Sequence, residues 1–306
     1  MERKGAMETE KKNLRGREVL VWLARTYPQL YVCPGPDGAA VYQEIVLRGQ
    51  DAPSHSLAHF DTHPGDRLEW ETTPAGTVPV ITLTGRRDFE LFLQIMAFRC
   101  TPAPIPRTQG ASTLDGVINW TKIRAHKEAF LRAGGADADW DREFARFTAD
   151  RANFKDVLIV LSVGPYSAVS ADRAGLPEAD WLEASHTIRK VHECTHVVCR
   201  ALFPEKKDAV WDELVADAVG ITAAFGRFDP ALAELFLGIE DGRYVGGRLE
   251  NYADGEDDRR ERLNALAGKI HRIMPLFESV IASCHGKGPY ELAIRLEEEI
   301  GCWKQP

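Results

Sequence analysis

Apolar positions recur at helical spacing over residues 14–27, predicting a first helix behind a charged, frayed N-terminal tail. Two later runs, AAVYQEIVL (39–47) and TVPVITLTG (77–85), are rich in β-branched and aromatic residues and predict strands. DRLEWET (66–72) predicts a third strand between them. From Asp88, DFELFLQIMAFRC turns helical. TPAPIPRTQG (101–110) predicts a loop, because Pro102, Pro104 and Pro106 fix φ and remove donors. Helical spacing resumes in LDGVINWTKIRAHKEAFLRAGG (114–135) and DADWDREFARF (137–147), whose Trp and Phe residues read as core stripes. A strongly apolar strand follows at 157–163, then a more polar extended piece at 166–170, and everything after Pro177 predicts helix.

This order of elements predicts an α+β protein with an N-terminal mixed α/β lobe built on a small sheet and a C-terminal all-helical lobe. The expected organisation is an N-terminal α+β region at 1–100, a core at 101–226 and a C-terminal helical lobe at 227–306. No internal repeat or low-complexity tract interrupts it.

Composition narrows the classes. With 44% hydrophobic and 27% charged residues, the 306-residue chain has the balance of a soluble globular protein. A net charge of −8 without a basic stripe argues against a nucleic-acid partner. The apolar run at 19–24 is too short for a signal peptide, and no run would span a bilayer. Cys33, Cys100, Cys194, Cys199, Cys284 and Cys302 are scattered without a CxxC pair, which favours reduced thiols and a cytoplasmic location.

The segment carrying chemistry is IRKVHECTHVVCRALF (188–203). On a helix, His192 and His196 project from one face and can aim ring nitrogens at one ion, while Glu193 is offset enough to reach a water on that ion. Ile188, Val191, Val198, Leu202 and Phe203 supply packing positions, and Pro204 ends the helix. A catalytic zinc takes three protein ligands and leaves a position for water. DAVWDELVADAVGITAAFG (208–226) offers the third: Asp208 caps a helix on which Glu213, Asp217, Gly220 and Ala224 share one face. No Lys or Arg lies three or four positions from either carboxylate on that helix. A metal held by Glu213, with Asp217 bonded to the far nitrogen of a ligand histidine, provides a counter-charge.

HECTH, sixteen residues, then ELVAD resembles the gluzincin, or thermolysin-like, branch of the zincin metallopeptidases. The resemblance covers about residues 191–220. It implies a zincin-like fold with two lobes across a metal cleft, and one zinc per chain held by His192, His196 and Glu213. It further implies Glu193 as general base, Asp217 as the partner behind a ligand, and a peptide or small amide or ester as substrate. An edge strand before the metal helix is also implied, with YSAVS (166–170) in its place, as is a downstream Tyr or His at the oxyanion. Tyr244, Tyr252, His271 and His285 all remain open for that role.

Competing readings attach to the same residues. Two histidines and a carboxylate also make the facial triad of non-haem iron, but an intervening Glu on one continuous helix favours zinc and hydrolysis. A non-catalytic protein of zincin-like fold would use the cleft to bind a partner, and would need the ligands but not Glu193. Cys194 projects away from the ligand face, whereas Cys199 returns near it. His55, His59, Asp61 and His63 cluster in SHSLAHFDTHPGD, which superficially resembles the HxD segment of co-catalytic aminopeptidases and acylases. Without a paired-glutamate segment to complete that site, a polar loop is the expectation. The acidic run at 250–261 reads as a solvated loop and helix start, with calcium as its alternative.

Overall fold

The computed structural model describes residues 12–205, 208–252 and 258–300. Most of the expected N-terminal tail, the centre of the acidic run at 250–261 and Cys302 lie outside these residues. The chain divides into two units, each with its own apolar core. The first takes in the described residues up to Trp70, with Val78–Ile105 and Thr113–Ser162. The second takes in Glu71–Thr77, Pro106–Ser112 and the described residues from Val163 onward.

The first unit opens with a short strand β1 (Leu14–Arg15) and helix α1 (Arg17–Thr26), which buries Val19, Leu20, Leu23 and Ala24 on one face. Helix α2 (Gly38–Arg48) occupies the run that predicted a strand. Its apolar pairs Val41–Tyr42 and Ile45–Val46 stand four apart, so helical spacing prevails over β-branched composition. Gly49, at φ 66°, closes the helix, with its N–H on the Ile45 carbonyl and that of Gln50 on the Glu44 carbonyl.

Strands β2 (Arg67–Thr73) and β3 (Gly76–Leu83) follow as expected, then α3 (Arg86–Met96) and β4 (Ala111–Ile118). β4 takes residues 114–118, which predicted helix. Gly116, at φ 80°, cannot continue a right-handed helix, so α4 (Trp120–Arg132) waits for Asn119, whose side chain caps the N–H of Lys122. The aromatic stripes of α4 and α5 (Trp140–Thr148) pair with each other through Phe130, Trp140 and Phe144, and no residue of α5 is fully buried. Strand β5 (Lys155–Ser162) completes a sheet of order β1-β2-β3-β5-β4. β3 and β5 run parallel at its centre, and Leu158 to Leu161 are wholly buried, as a strand covered on both faces requires.

The second unit is mainly helical. Tyr166–Ala168 form a single tight turn where an extended edge was expected, since Ser167 and Ala168 both adopt left-handed φ values. Then come α6 (Ala171–Ala174), α7 (Glu178–Leu202), α8 (Ala209–Phe225) and α9 (Pro230–Leu237). A hairpin of β6 (Ile239–Glu240) and β7 (Arg243–Tyr244) interrupts the expected run of helices. Asp241 and Gly242 both have positive φ, the two-residue turn that matches strand twist. A tight turn at Arg248–Tyr252 precedes α10 (Arg259–Ser283) and α11 (Pro289–Ile300). The architecture is thus α+β, with a small sheet and a helical C-terminal region. Among the described residues, no helix is long and apolar enough to cross a membrane.

Candidate metal centre

The site is built on α7 and α8, two helices that approach closely at a glycine. A Cβ on Gly220 would lie 2.9 Å from the Ile188 carbonyl oxygen and 3.1 Å from Ile188 Cγ2. Asp208 caps α8 by accepting from Val210 and Trp211, and Gly226 ends it at φ 70°. The bounds expected for α8 therefore hold, whereas α7 begins ten residues earlier than the motif required.

One turn apart on α7, His192 and His196 bring their Nε2 atoms to 3.0 Å of each other. Glu213 of α8 meets both, with Oε1 at 3.3 Å from His196 Nε2 and Oε2 at 3.4 Å from His192 Nε2. These three residues form the one candidate metal-holding group found among the described residues, their donor atoms all within 4.8 Å of one another. Both histidines are buried. Asp217, one helical turn beyond Glu213, accepts from His192 Nδ1 at 2.9 Å. Glu193 is half-buried beside His192 on α7.

Two residues that the motif did not single out complete the constellation. Tyr166 places its hydroxyl 2.7 Å from Asp217 Oδ1 and 2.9 Å from His192 Nδ1. Arg248 donates to the Tyr166 oxygen at 2.9 Å, pairs through Nη2 with Asp217 Oδ2, and lies 3.8 Å from Glu213. The counter-charge for Asp217 is therefore an arginine thirty-one residues downstream, in addition to any ion. No helical spacing could have pointed to Arg248, because it reaches the site from an irregular turn. Tyr166 was visible only as part of an extended run.

Electrostatics follow from this packing. Burial alone would raise the Glu213 carboxyl, but His192, His196 and Arg248 outweigh it and hold the group well below the usual carboxylate range. Burial pushes the His192 imidazole down, and the two carboxylates more than reverse that, leaving it raised. Burial drives the Tyr166 hydroxyl far above its ordinary value, so it remains a neutral donor. Arg248 keeps its charge despite burial because Asp217, Tyr166 and Glu213 surround it.

Among the four downstream candidates, Tyr252 falls beside the cluster. Burial first, then Glu213, raises its hydroxyl, which is within hydrogen-bonding reach of that carboxylate. Tyr244 bonds Gly247 and Glu250, His271 pairs with Glu234 at 2.7 Å, and His285 is exposed. Cys194 is a buried thiol pushed up to about 12 by desolvation, and Cys199 packs in the apolar core of the second unit. Cys33, Cys100, Cys194 and Cys284 are free thiols.

The second histidine cluster does not converge. His59 bonds the Leu30 carbonyl, His55 packs edge-on against Tyr31, and Asp61 pairs with Arg87. His63 lies 3.8 Å from Asp88, a buried carboxylate that accepts from the N–H groups of Asp61 and Thr62. Asp66 does the same for His63 and Thr84, so the loop is pinned by two buried aspartates. The calcium alternative at 250–261 falls largely on residues 253–257, outside those described.

An α+β chain whose second unit carries a His-His-Glu triangle, both histidines buried, between two helices is the class that the fold and site define. The sequence profile of a family of unknown function, DUF7005, matches residues 18–283, and the chain belongs to that family. No curated protein and no solved structure matches it.

Proposed function

We propose that this protein is a zinc-dependent hydrolase of the zincin type, with His192, His196 and Glu213 as ligands. The observation that carries this reading is the triangle of donor atoms at 3.0, 3.3 and 3.4 Å. Two ligand atoms at tetrahedral positions about 2.0–2.1 Å from a zinc lie roughly 3.3 Å apart, so the donor set fits that ion without rearrangement. Asp217 behind His192 is the kind of carboxylate partner that fixes a ligand imidazole.

A zinc bound there would lower the pKa of a coordinated water to about 7 and polarise a substrate carbonyl. Glu193, next to His192 on α7, would serve as the general base, taking a proton from water and returning it to the leaving group. Asp217 keeps the Nδ1 proton of His192, so that Nε2 remains a donor of electrons. Tyr252, beside Glu213, is the one of the four downstream candidates that would donate a hydrogen bond to an oxygen that gains charge. The substrate class is a peptide or a small amide or ester.

Elemental analysis of protein purified without chelator tests the reading. About one zinc per chain is expected in wild type and in Glu193→Gln, and none in His196→Ala, with hydrolysis lost in both variants. Absence of stoichiometric metal in wild type after zinc is added back would refute it. Arg248 favours one alternative, a non-catalytic zincin-like protein that binds a partner, because its guanidinium neutralises Asp217 without an ion. In that case Glu193→Gln leaves every function of the protein intact.

A further inference from the structure

We infer that Tyr166 is a positioning residue: it holds Asp217 against His192 by occupying the arm of Arg248 that would otherwise take the same carboxylate oxygen. This deepens the metal-centre reading, and its importance for catalysis rests on that reading.

The assignment follows from counting protons. The Tyr166 hydroxyl has one proton, and at 2.7 Å from Asp217 Oδ1 it gives that proton to the carboxylate. Its oxygen is then an acceptor, which is how it meets Arg248 Nη1 at 2.9 Å. His192 Nδ1, 2.9 Å from both the Tyr166 oxygen and Asp217 Oδ1, faces only lone pairs and must carry a proton itself. In the neutral ring Nε2 is therefore bare and turned toward His196 and Glu213.

Arg248 makes the hydroxyl necessary. Its Nη2 already holds Asp217 Oδ2. A guanidinium and a carboxylate prefer a two-pronged pairing, which would bring Nη1 onto Oδ1 and draw that oxygen from His192. Tyr166 takes Nη1 instead. The chain invests in this placement. Tyr166 precedes two consecutive left-handed residues, Ser167 at φ 51° and Ala168 at φ 57°, a costly backbone that persists only where surroundings over-determine it. Those surroundings are the Ser185 hydroxyl on the Tyr166 N–H at 3.0 Å and Arg189 on the Gly164 and Pro165 carbonyls at 3.2 Å. Trp181 bonds the Val169 carbonyl at 2.8 Å.

The test uses the full chain as wild type and Tyr166→Phe, which keeps the ring and its contact with Phe236 at 4.8 Å. Nitrogen–proton correlation spectra of the metal-free protein in mildly alkaline buffer read the tautomer of His192, and chelator competition reads zinc affinity. Wild type is expected to show Nδ1–H at His192. The variant should populate both tautomers and bind zinc about 10-fold more weakly. A wild-type ring protonated at Nε2 overturns the inference whether or not the variant folds, and so does a variant with unchanged tautomer and affinity. If wild type binds no zinc while the tautomer is lost in Tyr166→Phe, the positioning role stands and the metal centre falls.

Discussion

His192 and Asp217 share a hydrogen bond of 2.9 Å between Nδ1 and Oδ1, joining α7 to α8 across a buried interface. In the neutral imidazole that bond uses the single ring proton, so the lone pair of Nε2 faces His196 and Glu213. Electron-rich atoms gathered in this way repel one another unless a proton or a metal cation lies among them.

The first consequence concerns metal-linked stability. With zinc at about 100 times its dissociation constant, the unfolding free energy should rise by about 2.7 kcal/mol. Calorimetric scans with and without zinc measure the shift. His196→Ala should show none, and an equal shift in that variant would place the ion elsewhere.

Arg248, partly buried, and Asp217, fully buried, form an ion pair that should behave as one unit. Arg248→Met leaves a carboxylate that is 1% exposed without its main cation, and should cost about 3–5 kcal/mol. Adding Asp217→Asn should recover part of this, because an amide needs no counter-charge. Urea unfolding of the two single variants and the double variant measures the coupling; purely additive effects would contradict it.

Gly220 sets the separation of the helices that carry His192, His196 and Glu213. Gly220→Ala puts a methyl group 2.9 Å from the Ile188 carbonyl oxygen, a backbone atom that can yield only if α7 moves. A loss of about 1–3 kcal/mol in stability is expected. Zinc affinity should fall with it, since ligands on both helices shift; a titration that finds stability reduced and affinity untouched would separate the two.

Acid should remove one surface contribution in a defined window. Glu143 bonds Arg146 and His126, and these hold its carboxyl down at about 2 from an ordinary 4.5. A depressed folded-state value stabilises above 4.5, and that contribution disappears as pH falls through about 2. The acid limb of a stability–pH profile should therefore flatten in Glu143→Gln, and high salt should weaken the difference. Parallel wild-type and variant profiles through that window would refute the assignment.

Periodicity and punctuation made much of the second unit legible in sequence. The four-residue spacing of His192 and His196, the Asp208 cap, Gly226 at the end of α8 and Gly220 on the shared face all depend on local rules of helix geometry. The same rules misjudged α2, where Val41, Tyr42, Ile45 and Val46 are β-formers by composition and helical by spacing. They also missed the start of α4, because Gly116 tolerates a conformation that its neighbours do not.

What the sequence by itself determined is that His192 and His196 share one face of a helix and Glu213 and Asp217 one face of the next, since i, i+4 positions on a helix must share a face. Only the tertiary structure decided the surroundings of those faces. Arg248 enters from a turn beyond the α9 helix, Tyr166 from a strained turn before α6, and Tyr252 rather than His271 lies beside Glu213. Such contacts join residues up to eighty-two positions apart. Chain closure over that distance is set by the packing of whole elements, and no local pattern encodes it.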